Sequence, residues 1–399
     1  MNARIYADHA ATTPTRPEVI AAMSAYLNAG AYNPSSLHAE GRRARAALDG
    51  ARERVAAVLG AKAREIVFTG GGSESDNLAL RGAAHASRER GRRIVAVATE
   101  HHAVLHALDA LADEGFEIAL LPVDGDGLLD PVSFVEALLP GTVLASVMLA
   151  NNELGTLQPI PELAAAARER GVVFHTDAVQ APGRIHIDVD ALGVDLLSLS
   201  AHKFYGPHGV GVLYVRSGTP LTALIAGGGQ EFGLRAGTEN VAGALGLALA
   251  LELAVKEQAL EAARLSALRD RFEETLRARI PGLRVNGAGA PRLPNLSSVS
   301  FPGSDAQALA IRLDLDGVAV SMGSACASGA AEPSHVLRAV GVPAGLATLR
   351  FSFGRSTGRQ DVGALLEMLP EVVRSVRVDT HSLGTKQRGS ETSRSEDTT

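Results

Sequence analysis

A single cysteine, no tryptophan and only four lysines among 38 basic residues are what this 399-residue chain has least of. One thiol, Cys326, rules out an intramolecular disulfide, and a thiolate metal cage would need ligands from other chains, so no metal site is expected. That thiol is either a small buried apolar group or a reactive one. The longest strongly apolar stretch, residues 241–251, stops at Glu252, short of the ~18–20 residues a membrane-spanning helix needs. Nor does the N-terminus carry the apolar core of a secretory signal before it reaches Asp8 and His9, which makes a cytoplasmic location the expectation. A net charge of −6 supplies no general attraction to nucleic acid or anionic membrane, and neither is expected as a partner. Internal repeats and heptad arrays are lacking too.

The composition that remains, 46% apolar, 21% charged and 42 glycines, is that of a globular protein. β-rich runs at 65–69, 93–98, 117–121, 142–148, 172–176, 195–199 and 210–215 alternate with Ala-rich helical stretches such as 41–59 and 162–170, with Pro161 at a helix start. The alternation predicts an α/β fold whose largely parallel sheet is buried on both faces. A long helical pattern from 241 to about 279 is broken by Pro281-Gly282. Runs at 297–301, 306–314 and 318–321 then read as a βαβ-like unit. The expected organisation is a large domain over 15–255, a smaller C-terminal α/β domain formed by 256–379 with 1–14, and a disordered tail over 380–399, where Leu383 is the only large apolar residue.

Three segments carry candidate chemistry. Thr69-Gly70-Gly71-Gly72-Ser73-Glu74-Ser75-Asp76-Asn77 follows a predicted strand and enters a helix beginning near Leu78, which makes either an anion cradle or a flexible turn with Ser73 as cap. It matches neither a Walker loop nor the dinucleotide glycine spacing. Ser200-Ala201-His202-Lys203 ends another buried strand. A lysine there is either used covalently, as in a Schiff base with an aldehyde cofactor, or snorkels to a carboxylate. Asp177 also ends a strand, and it serves as a helix cap or as the partner of a protonated pyridine nitrogen. A phosphate cradle, then a strand-end Asp, then a strand-end Lys is the sequential layout of pyridoxal-phosphate enzymes.

With these segments the chain resembles the cysteine desulfurases of the pyridoxal-phosphate fold-type I, class V aminotransferase group. The resemblance runs from Tyr6-Ala7-Asp8-His9-Ala10-Ala11-Thr12-Thr13-Pro14 to Leu349-Arg350-Phe351-Ser352. It includes Asn33-Pro34-Ser35-Ser36, Thr99-Glu100-His101-His102, Asn151-Asn152-Glu153-Leu154-Gly155, Gly227-Gly228-Gly229-Gln230-Glu231, Arg235-Ala236-Gly237-Thr238-Glu239-Asn240 and Gly323-Ser324-Ala325-Cys326. It implies pyridoxal 5'-phosphate as cofactor, bound covalently through Lys203, with Asp177 on the pyridine nitrogen, His101 over the ring face, and Gln180 and Asn152 near the phenolic oxygen. The phosphate is implied to lie on Gly72, Ser73, Ser200 and His202, with Thr238 reaching it from the other subunit of a homodimer. Arg350, with Asn152, is the implied site for the substrate carboxylate.

The implied reaction converts L-cysteine to L-alanine and leaves the sulfur as a persulfide on Cys326, in a loop of small residues. Lys203 moves the α-proton, and His101, whose ordinary pKa lies near the working pH, assists the thiol protons. The Gly-Ser-Ala-Cys form of the loop resembles the branch that supplies iron–sulfur cluster assembly and tRNA thiolation, so a scaffold protein and other sulfur acceptors are the implied partners. The chain departs from the pattern in two places. Phe232 stands where a basic residue is common, and His102 occupies a variable position; both departures bear on partner or substrate preference. An aminotransferase or β-lyase on the same fold would use Lys203, Asp177 and Arg350 equally well, and Cys326 is the discriminating residue. A non-catalytic scaffold is the rival from another class.

Overall fold

The computed structural model describes residues 4–322, 334–343 and 346–376. The first short strand, β1 (Ile5–Tyr6), is followed by the seven strands of the main sheet: β2 (Ile66–Thr69), β3 (Arg93–Val97), β4 (Glu117–Leu121), β5 (Thr142–Ser146), β6 (Val173–Asp177), β7 (Leu196–Ser200) and β8 (Gly211–Val215). Their spatial order is β2-β8-β7-β6-β5-β3-β4. β3 through β7 pair in parallel, while β8 runs antiparallel to both neighbours. Val, Ile, Leu and Ala fill these strands because helices cover both faces, and two apolar clusters lie on opposite sides of the sheet. Burial on both faces does not extend to β4. As the edge strand it is partly exposed along its length.

The C-terminal region departs from the βαβ expectation. β9 (Arg284–Asn286), β10 (Leu296–Pro302) and β12 (Leu346–Ser352) form an antiparallel sheet in the order β12-β10-β9. β11 (Val318–Ala319), which follows the helix Ala306–Leu315, does not return to β10 but pairs in parallel with β1. The flank of β10 is taken instead by the seven-residue β12. The helix Val241–Arg279 has 39 residues and is about 58 Å long at 1.5 Å per residue. Its first half, including Leu247 and Leu251, packs in the core beneath the main sheet. Its second half, including Leu268 and Phe272, packs with Ile5, Phe301 and Phe351 in a separate core. Among the described residues no helix is long and apolar enough to cross a membrane.

Candidate active site

The C-terminal ends of five strands converge, as open α/β sheets favour. β2 runs into Gly70-Gly71-Gly72, β3 into Thr99-Glu100-His101 and β5 toward Asn151-Asn152. β6 ends on Asp177, and β7 ends on Ser200 and continues through the short turn Ala201–Lys203. They surround a cavity of about 390 Å³.

At one end lie Gly72, Ser73, Ser200 and His202. The helix here begins at Gly72, not near Leu78, and its cap is Gly71 rather than Ser73. Gly71 has φ +152, a conformation L side chains rarely adopt, and it turns the strand directly into the helix. Ser73 therefore sits in the first turn, among backbone N–H groups that have no partner within the helix. A Cβ on Gly72 would stand 3.0 Å from Val179 Cγ2 and 3.4 Å from Ser200 Cβ, so the glycine keeps this cradle open. His202 Nδ1 lies 3.0 Å from Thr12 Oγ1, and burial together with the Lys203 charge lowers its pKa to about 4. Arg235 ties its own motif to the glycine loop, donating from Nε to Glu74 Oε1 at 2.8 Å. Thr238, in that same motif, is exposed and does not line the cavity.

In the middle stand Lys203, Asp177, His101 and Gln180. Lys203 Nζ donates to the carbonyls of Ala10 (2.7 Å) and Ala11 (2.8 Å), which is how the N-terminal motif enters the site. Asp177 Oδ1 accepts the Val179 N–H at 2.9 Å; burial raises its pKa to about 6 against the pull of that bond and of Lys203. His101 caps the helix His102–Asp113, its Nδ1 accepting the Ala103 N–H at 3.1 Å, so the neutral ring carries its proton on Nε2. Burial, reinforced by the charges of Lys203 and His102, lowers the His101 pKa to about 4. The ordinary pKa on which acid–base help near the working pH was expected is therefore displaced downward, which leaves the ring neutral at pH 7.

Sequence reasoning missed a buried polar floor. Asp76 and Glu100 are fully buried carboxyls whose pKa values burial raises, with the Asp177 charge adding to the effect. His175 lies between Ser146 Oγ (2.9 Å) and Ser198 Oγ (3.0 Å), and burial lowers its pKa to about 3. Asp76 stands among Ser73, Glu74, Ser75 and Asn77 at the polar start of its helix, so nothing local in the sequence marks it as buried.

At the other end are Asn152 and Arg350. Arg350, on β12, donates from Nη1 to the Asn152 carbonyl at 2.9 Å and from Nη2 to Asp8 Oδ1 at 2.8 Å. The adjacent asparagines divide their work. Asn151 turns inward, its Oδ1 accepting the N–H groups of Glu153 and Leu154 at 2.9 Å, and only Asn152 lines the cavity. His102, Glu153 and His335 also line it, His102 and His335 with ring centroids 4.7 Å apart. Phe232 lies outside the cavity and covers the Arg52 guanidinium at 4.9 Å, with Phe68 at 5.0 Å from the same group. A basic residue at 232 would face that buried charge. Cys326 lies outside the described residues. Among the described residues no group of three or more His, Cys, Asp or Glu side chains is arranged to hold a metal ion.

The aminotransferase class-V family model matches residues 5–365. The chain belongs to the class-V aminotransferase family. It is 48% identical over 379 residues to a protein of Dictyoglomus turgidum named cysteine desulfurase IscS, with 94% of this chain and 96% of the relative covered. A solved structure named NifS-like protein superposes with TM-score 0.87 at 36% identity, over 94% of this chain and all of that one. Another, described as SspA in complex with cysteine, gives TM-score 0.78 at 37% identity, over 88% of this chain and 98% of that one. The fold is the fold-type I architecture of pyridoxal-phosphate enzymes.

As a class-V aminotransferase family member the chain uses pyridoxal 5'-phosphate, and its own residues fit that group. Gln180 Nε2 donates to Ala10 O at 2.9 Å, while its Oε1 is buried without a hydrogen-bond partner among the described residues. A cationic ring N–H beside Asp177 would relieve the burial that raises this carboxyl. The glycine-lined helix N-terminus matches a phosphate.

Proposed function

We propose that this chain is a pyridoxal-phosphate-dependent cysteine desulfurase that takes sulfur from L-cysteine onto Cys326 and releases L-alanine. The observation that carries the reading is the convergence of Lys203, Asp177, His101 and Arg350 on one cavity, in a chain that also holds Cys326.

Gly72, Ser73, Ser200 and His202 would hold the cofactor's phosphate, Asp177 its ring nitrogen and Gln180 its phenolic oxygen, with His101 at the ring face. The bound cofactor supplies an electron sink for the substrate's α-carbon. Arg350, fixed in plane by Asp8 and Asn152, presents a planar fork suited to the cysteine carboxylate. Lys203 Nζ takes the proton from Cα and returns it. His101, neutral and protonated on Nε2, is set to donate a proton first and accept one afterwards. The Cys326 thiolate attacks the substrate sulfur.

The two bodies 15–255 and 1–14 with 256–379 bracket the cavity in this reading, since Ala10, Ala11, His335 and Arg350 line it opposite the strand ends of the main sheet. A homodimer is supported by the exposed Leu27, Tyr32 and Leu37, which lie in one stretch of chain, and by exposed Thr238, which would complete the phosphate site of a second copy. The acceptors are an iron–sulfur scaffold protein or other sulfur-accepting proteins, including those of tRNA thiolation, in the cytoplasm.

The test is paired quantitation of L-alanine and sulfide from L-cysteine and a reductant, for wild type and Cys326→Ala. Equal alanine and sulfide from wild type, both lost in the variant, is the expected result. Pyruvate as product, or a variant as active as wild type, transfers the reading to a lyase or aminotransferase.

A further inference from the structure

Cys326 stands five residues after Ser321 and eight before Ser334, roughly 17 Å and 27 Å of fully extended chain. Both of those flanking residues are bound to the walls of the cavity. Upstream, the Arg350 N–H donates to Ser321 O at 2.7 Å and the Ser321 N–H to Arg350 O at 3.3 Å. Downstream, Ser334 Oγ donates to Glu153 Oε2 at 2.6 Å, and both residues are buried. Ser334 Oγ also accepts the N–H groups of Val336 (3.1 Å) and Leu337 (3.3 Å), capping the turn that follows. His335 Nε2 lies 2.9 Å from Glu100 O, and Val336, Leu337 and Val340 pack against Leu154. Glu153 and Leu154 directly follow Asn152, whose carbonyl receives Arg350 Nη1. One flank of the Cys326 segment is thus fastened to Arg350, and the other to Glu153, the residue after Asn152.

We propose that the Ser334 hydroxyl, bonded to the Glu153 carboxyl, is a positioning residue for sulfur transfer to Cys326. The proposal rests on the desulfurase reading. In that step a bond forms between the Cys326 sulfur and the substrate sulfur while the substrate's Cβ–S bond breaks. The electron pair of the broken bond stays with Cβ, which takes a proton to become the methyl group of alanine. Ser334 itself does not line the cavity; its bond to Glu153 fixes the point from which the segment bearing the thiol starts. Its loss should therefore slow the transfer and leave cysteine binding alone, since misplacement of ~1 Å costs rate far more than affinity.

Three variants separate this role from plain stability. Ser334→Ala removes both the bond to Glu153 and the cap. Ser334→Asp keeps a capping oxygen but sets a carboxylate against Glu153, and Ser334→Thr keeps the hydroxyl. Each is loaded with cofactor and titrated with L-cysteine by visible absorbance, then assayed for alanine and for Cys326 persulfide by mass spectrometry. For Ser334→Ala and Ser334→Asp, alanine and persulfide formation should fall on the order of tenfold at an unchanged half-saturating cysteine concentration, while Ser334→Thr stays near wild type. Full rates in Ser334→Asp, or a parallel loss of cysteine binding, overturn the positioning role alone. A wild-type protein that consumes cysteine without alanine or persulfide overturns the desulfurase reading and this proposal with it.

Discussion

Asp8 holds Arg350. Its Oδ1 accepts from Arg350 Nη2 at 2.8 Å across 342 positions of sequence, while Nη1 donates to the Asn152 carbonyl. The arginine side chain is 3% exposed, so its plane is set by these two acceptors before any substrate arrives.

Replacement of Arg350 by lysine should consequently fail. An ammonium is a point charge and cannot satisfy Asp8, Asn152 and a substrate carboxylate in one plane. A charged hydrogen bond contributes ~1.5–3 kcal/mol, so Arg350→Lys should raise the half-saturating concentration of L-cysteine on the order of tenfold or more. Titration of the bound cofactor's absorbance measures it. An unchanged midpoint would remove Arg350 from the carboxylate site.

Lys203→Arg keeps a cation near the Ala10 and Ala11 carbonyls but lacks a primary amine. Borohydride should fix the cofactor covalently to wild-type chain, at a peptide containing Lys203, and fix none to the variant. Alanine formation should fall by roughly 10³-fold or more, as loss of the proton-transferring group demands. Covalent attachment at Lys62 or Lys256 instead would move the assignment.

His9 gives a pH-dependent prediction. It is buried against Tyr6 and Tyr205, both ring nitrogens lack hydrogen-bond partners among the described residues, and burial with the Arg184 charge lowers its pKa to about 4. The folded chain disfavours the imidazolium, whereas the unfolded chain binds a proton below ~6.5. Stability is thus complete above that value and is lost as pH falls toward 4. At pH 5 the cost is about 2 kcal/mol. His9→Phe should therefore gain about that much more stability at pH 5 than at pH 8, read from urea unfolding. A gain equal at both values would show that protonation of His9 is not the cause.

The Phe232 departure also bears on stability. Arg52 makes two 2.7 Å bonds to buried Glu231 and lies between the rings of Phe68 and Phe232. Phe232→Arg should destabilise by ~1–2 kcal/mol through the lost cation–π contact. Glu231→Ala, which strands a buried guanidinium, should cost ~3–5 kcal/mol. Thermal unfolding orders the two, and a Phe232→Arg variant as stable as wild type would exclude the stacking account.

The sequence alone determined the alternation that builds the main sheet and the strand-end positions of Asp177, Ser200 and Lys203, because periodicity and turn chemistry are local properties of the chain. The motifs also singled out Gly72, Ser73, His101, Asn152 and Arg350, all of which line the cavity. Pairing was decided elsewhere. That β11 joins β1, 313 positions away, and that β12 flanks β10, 44 to 56 positions away, depends on which edges compete for pairing, and no local pattern records that competition. Only the tertiary structure placed Ser334 on Glu153 and Asp8 on Arg350, and set Asn151 inward with Asn152 facing the cavity. The protonation of the site was decided there as well. A histidine's ordinary pKa belongs to its type, but burial near Lys203, with Nδ1 tied to Ala103, keeps the His101 ring neutral with its proton on Nε2, and desolvation exists only once the chain has folded.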